Sequence, residues 1–465
     1  MLKIKNFYIL LIILITLIKS NSTFGQKVFT LKDAIAEGIK NYGIIKAKVK
    51  YAEASKIAVK QAKRENLPNF NLSAQQDFGT VNGQFGPLFG FGGLGLATSG
   101  PAFDQQYSNA AFGSAYLVNI NWEFFAFGKA REKVKVAEAT AVKDYKDLDQ
   151  ELFQHKIKIA AAYLNLVAAQ QLKLSFEKNL NRADTIRRIV SAKVLSGIIP
   201  GVDSSQANAE YSSAKIVLTK SIDQEASLSN QLFQLLGIVP QSYILDSFFI
   251  NRIPKLSEDS VAFEKHPLLQ FYRSRINVSD VQSKFIRKSS YPVFAMVGVF
   301  QGRGSGFNSN YLFDPLDFTK NYWSGITPTR TNYLLGVGVT WNVTQPFRIS
   351  QQVKFQNLIS KGLQEEYVLV NQQIAAQLQL ADVKIKNALL IYNEVPIQIK
   401  AATDAYIQKS VLYKNGLTNL VDLTQILYVL VRAETDRDIA NNNVWQALLS
   451  KAASAGDFSI FENKF

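Results

Sequence analysis

Three groups of residues in this chain have types and spacings that chemistry uses. Gly90, Gly92 and Gly95 fit the glycine spacing with which a strand-turn-helix unit cradles dinucleotide phosphates, but they sit in a run rich in Gly and Phe with no such setting. Asp77-Phe78-Gly79 has the letters of a kinase metal-binding triplet and none of its companion signals. Two histidines, His155 and His266, are too few for a His-rich metal site and read as surface or packing residues. Cysteine is absent, which removes disulfides, thiol nucleophiles and thiolate ligands. No catalytic constellation remains, so the sequence predicts no enzyme, no cofactor and no metal. The carboxylates that stand out are Asp203 and Asp422, each placed to N-cap a returning helix.

The elements that carry these residues come in duplicate. Residues 41–70 lie without gaps over residues 265–294, placing Pro68 on Pro292 and Phe70 on Phe294. A second ungapped register places Trp122 on Trp341, Gly197 on Gly416, Asp203 on Asp422, Gln206 on Gln425 and Gly237 on Gly456. Each copy reads as helix, strand, long polar loop, strand, very long helix, tight turn and helix. The expected organisation is a first repeat over 26–240, a linker over 241–257, a second repeat over 258–456 and a tail over 457–465.

Strands are expected over about 69–79 and 111–124, and again over about 293–302 and 331–344. Tyr116, Val118, Ile120, Trp122 and Phe124 alternate with Leu117, Asn119, Asn121 and Glu123; Tyr333, Leu335, Val337, Val339 and Trp341 alternate with Gly336, Gly338, Thr340 and Asn342. Their length suits a tilted membrane crossing, and Trp122, Phe124, Trp341 and Phe347 mark one interface. Four strands cannot close a barrel, which needs about eight, and lipid does not tolerate an open edge, so the chain must oligomerise. Long helices over 128–196 and 348–414 would each run roughly 100 Å at 1.5 Å per residue.

Lys3 and Lys5 precede an apolar run from Phe7 to Ile18 and then small or polar residues, the layout of a signal peptide over 1–25. Without cysteine there is no lipid anchor. The net charge of +15 raises the question of nucleic acid, but Lys129, Arg131, Lys133 and Lys135 interleave with Glu132 and Glu138 as on a solvated helix face. Export argues against that partner too.

Taken in order, these features resemble the TolC-type outer-membrane efflux and secretion proteins over nearly the whole chain. The resemblance is carried by the duplicated unit, the string from Trp122 to Lys129, and the two hairpin tips, Ser196 to Asp203 with Gln206 and Asn415 to Asp422 with Gln425. It implies a mainly α fold with a membrane β-barrel portion: a homotrimer pooling about twelve strands, continued by a helical periplasmic tunnel. It further implies an outer-membrane location among lipids, a periplasmic adaptor docked on the tips, and an inner-membrane pump of RND or ABC type. Docking would fall to Gly197, Ile198, Pro200, Val202, Gly416, Leu417, Leu420 and Val421. Asp422 aligns with an acidic position that in some relatives lines the closed periplasmic aperture, where symmetry-related carboxylates would attract cations. The second such position is Gln425, and Asp203 is the matching residue of the first copy. A periplasmic coiled-coil adaptor or scaffold is the alternative reading.

Overall fold

The computed structural model describes residues 28–83, 88–91, 94–97, 101–240, 243–255 and 265–465, so the expected signal peptide lies outside the described residues. In chain order the elements are α1 (Leu31–Asn41), α2 (Gly43–Arg64), β1 (Asn69–Thr80), β2 (Leu88–Phe91), β3 (Leu94–Ala97), β4 (Ala110–Phe125), α3 (Lys129–Leu195) and α4 (Gly201–Leu236). The second half contains α5 (Phe248–Asn251), α6 (Pro267–Lys288), β5 (Val293–Ser305), α7 (Tyr322–Ile326), β6 (Arg330–Thr340), α8 (Gln345–Lys414), α9 (Leu420–Ala455) and α10 (Ser459–Glu462). The fold is mainly helical with one four-stranded sheet. It divides into a unit built from Glu53–Lys143 and Ser274–Gln364 and a second built from the remaining segments.

In the first unit the sheet runs β1-β4-β5-β6, antiparallel throughout. Register follows from the alternation of side chains, because a one-residue slip would turn every apolar residue to the other face. Phe70 faces Ile120 and Leu72 faces Val118. The same face continues through Trp122 opposite Met296 and Val118 opposite Phe300, then Met296 opposite Val337 and Phe300 opposite Tyr333. Asn71 and Asn119, and Gln301 and Asn332, pair on the opposite face. β1 and β6 are the two edges.

The two joints from strand to long helix differ. Phe127 and Gly128 both take left-handed φ values, 49° and 83°, which turn the chain into α3. At the second joint β6 stops at Thr340 rather than near 344, and α8 starts at Gln345 rather than 348. Asn342 is the cause: its Oδ1 accepts both the backbone N–H and the hydroxyl of Thr344, and its carbonyl accepts the N–H of Gln345. That local turn takes the backbone groups a ladder would use. Trp341 and Val343 keep the alternation but lie off the sheet.

In the helical unit, Thr30 and Asp33 close a capping box on α1. The main core gathers Leu31, Ile159, Tyr163, Leu164, Leu232 and Trp445. Segments expected as linker and tail belong to that core: Phe249 of α5 and Ile460 and Phe461 of α10 are buried in it. Apolar residues in both segments explain the difference, since they gain only by leaving water. The Tyr163 hydroxyl donates to the Phe29 carbonyl at 2.7 Å and accepts the Asp246 N–H at 3.1 Å, fastening the linker.

Both histidines are packing residues of this unit. His155 is fully buried and stacks on Tyr42 with ring centres 3.9 Å apart. His266 accepts the Leu268 N–H on Nδ1, which leaves Nε2 to donate to the Ala453 carbonyl at 3.3 Å. Burial pushes both imidazoles below the usual 6.5. The unfolded chain therefore binds these protons first as the pH falls. Stability is full above about pH 6.5 and declines below it. The midpoint of helix melting by circular dichroism should be lower at about pH 5 than at about pH 7.5, and His155→Phe should shrink the gap. Equal midpoints at both pH values would contradict this.

Candidate functional site

The two hairpin tips repeat one geometry. After α3 and after α8 the chain turns on a left-handed glycine, Gly197 (φ 70°) and Gly416 (φ 73°). The Ile198 N–H reaches back to the Lys193 carbonyl and the Leu417 N–H to the Leu412 carbonyl, both at 2.9 Å. These are the helix-ending bonds for which glycine is the favoured residue. Lys193 crosses between the hairpins: its Nζ donates to the Tyr413 carbonyl at 3.2 Å and lies over the Tyr413 ring. A cation at the end of α8 complements the helix dipole.

Exposure divides the candidate docking residues. Ile198, Val202, Leu417 and Val421 are exposed apolar side chains, and Gly197, Pro200 and Gly416 are exposed beside them. Leu420 is different: it is 1 % exposed and packs with Val190, Ala207, Tyr413 and Leu423. It holds the hairpins together and offers nothing to a partner. Only the helical turn of α9 decides this, because Leu420 and Val421 look alike as letters.

Neither aspartate is an N-cap. Pro200 caps α4 without a side-chain bond, and Asn419 caps α9 by accepting the Asp422 N–H at 2.8 Å. Asp203 and Asp422 each lie three residues inside, in the first turn of their helices. Asp422 Oδ2 accepts from Lys409 Nζ and from the Thr418 hydroxyl, both at 2.9 Å. The bond from Lys409, then that from Thr418, holds its carboxyl below the ordinary range. Gln425 is exposed one turn further along α9.

Above the tips, α9 is tied to the first hairpin by polar contacts. Arg182 pairs with Glu434 at 2.6 Å, the Ser175 hydroxyl donates to Asp438 at 2.6 Å, and the Tyr428 hydroxyl donates to Glu210. No short spacing in the sequence marks these pairs.

Residues 44–238 match the outer membrane efflux protein family. The structure is similar to the CmeC outer membrane channel of Campylobacter jejuni, with a TM-score of 0.74 and 14% identity, covering 92% of this chain and 85% of that one. The fold is that of the TolC-type outer-membrane channels. VceC of Vibrio cholerae gives a TM-score of 0.73 at 14% identity, covering 92% and 96%. The open-state MtrE channel of Neisseria gonorrhoeae gives 0.70 at 14% identity, covering 92% and 89%. No curated protein sequence matches the chain.

Within this TolC-type fold Trp122 and Trp341 do equivalent work. The Trp122 indole donates to the Asn66 carbonyl at 2.9 Å, and the Trp341 indole donates to the Ser290 carbonyl at 3.1 Å. Each staples the end of an outgoing strand to the joint before the incoming one. Phe124 is exposed at the end of β4, whereas exposed Phe347 stands in the first turn of α8. Of the residues with enzyme-like spacing, Gly90 pairs with Gly95 where β2 meets β3, Gly92 lies outside the described residues, and Asp77 in β1 accepts from Gln75. Among the described residues, no helix directly follows Gly90 and Gly95 to receive a phosphate. Among the described residues, no cluster of metal-ligating side chains occurs.

Proposed function

We propose that the chain is one protomer of a homotrimeric outer-membrane exit duct, the passive last stage of a tripartite efflux or type I secretion system. The observation that carries this reading is the sheet, apolar on one face and open at both β1 and β6. An open edge cannot stand in lipid, so strands from other copies must complete it. The match of residues 44–238 to the efflux family supports the same reading. Exposed Ile198, Val202, Leu417 and Val421 form the docking surface for a periplasmic adaptor, which links the duct to an inner-membrane pump of RND or ABC type. In this reading the chain is exported by a signal peptide and lies in the outer membrane of a diderm bacterium. A periplasmic scaffold would leave the apolar sheet face in water.

Purified from membranes with detergent, the protein should run as a heat-sensitive trimer and form channels of small conductance in planar bilayers. A soluble mature protein would overturn the duct and favour the scaffold. In the gate, Asp422 is the carboxylate of the periplasmic aperture and Lys409 its latch. Asp422→Ala should raise resting leak and weaken block by multivalent cations on the tip side. Unchanged leak and block would remove Asp422 from the gate.

A further inference from the structure

The outer end of the sheet holds a pairing that stability does not explain. In the register of β5 and β6, Arg303 is the direct partner of Arg330. Like charges directly opposite across strands are destabilising. The row continues through Ala115 to Gln75, neither of which is acidic. Both arginines are exposed, and Arg330 donates to its neighbour's carbonyl, Thr329 O, at 2.9 Å. Asp77 lies one row further out on the same face, on edge strand β1, and is held there by Gln75. The next row inward is Gln301 opposite Asn332, which adds amide donors.

The face matters as much as the charge. Arg303 and Arg330 share it with Gln301, Asn332, Asn119 and Asn71, among which Leu117, Val299 and Leu334 are interleaved, while Phe70, Leu72, Val118, Ile120, Phe300 and Tyr333 occupy the other. In the duct proposed above, on which this inference rests, that polar face lines the lumen. Symmetry then repeats the arginine pair around the outer mouth. Guanidinium is the group suited to the task, because its planar fork binds carboxylate, phosphate or sulfate through two parallel N–H bonds.

We infer that Arg303 and Arg330 form an oxyanion-binding station in the lumen near the outer mouth, favouring passage of acidic solutes. A ring of fixed positive charge raises the local anion concentration and sets charge selectivity.

The test is channel recording in planar bilayers with potassium chloride, adding inorganic tripolyphosphate without divalent cations. Wild type should show concentration-dependent block and a preference for chloride over potassium at the mouth. R303Q/R330Q should need at least about ten-fold more tripolyphosphate for half block, and R303K/R330K should fall between, keeping charge but losing the fork. Equal block of wild type and R303Q/R330Q would overturn the inference. So would a lowered heat-dissociation midpoint of R330Q trimers with block intact, since Arg330 would then serve the contact between copies. Wild type that forms no channels would instead defeat the duct reading, a distinct outcome.

Discussion

Trp445→Ala should cost the helical unit about 3–5 kcal/mol, the scale for emptying a buried aromatic site. Trp445 is 0% exposed and meets Phe249 at 5.0 Å and Phe461 at 5.9 Å between ring centres, both edge-on. Its indole N–H donates to the Arg252 carbonyl at 2.8 Å, so truncation also orphans an acceptor on the segment joining the two halves. The measurement is amide hydrogen exchange with helix melting. Protection should fall across 243–255 and 458–462 first, and the melting midpoint should drop. Trp445→Phe, which retains most of the volume and loses the bond, should cost about 1–3 kcal/mol. Undiminished protection in Trp445→Ala would show that neither segment depends on this residue.

The second large effect comes from a glycine whose neighbour leaves no room. Gly456 ends α9 at φ 72°, and a Cβ there would lie 2.6 Å from His266 Cδ2 and 2.7 Å from His266 Cα. Gly197 has a similar φ but open space within 4 Å. Gly197→Ala should therefore cost only the left-handed penalty, about 1–2 kcal/mol. Gly456→Ala should add about 1–3 kcal/mol of overpacking, because the obstructing Cα is backbone and cannot swing aside. Melting midpoints of the two variants compare them directly, and equal losses would refute the crowding argument.

Much of this was legible because it is local. Alternation fixes which face of β4 carries Val118, Ile120 and Trp122, since the side-chain period of a strand is two. Glycines that superpose in the two copies, Gly197 with Gly416 and Gly237 with Gly456, all take positive φ. What escaped depends on contacts remote in sequence or on a single competing side chain. Alternation alone carries the last strand through Val343, and only the side-chain turn of Asn342 ends it early. Asp422 looks like a cap, yet Asn419 wins that place by standing just before the first turn. The Lys409 bond to Asp422 and the Arg182 bond to Glu434 join residues on different turns or different hairpins, with no pattern to announce them. The Gly/Phe-rich stretch concealed a β2-β3 hairpin and the Arg303 to Arg330 connection concealed α7, short elements whose glycines mask propensity.

The two bare edges of the sheet also shape the genetics of the proposed ring. A ring that closes strand on strand has no place to leave out a poor member, so each β1 must find an acceptable β6 on the next copy. A chain that folds its helices normally but carries a spoiled edge would still be recruited. Co-expressed with the intact chain, it would disable most of the rings it entered, making edge lesions dominant and core lesions such as Trp445→Ala recessive.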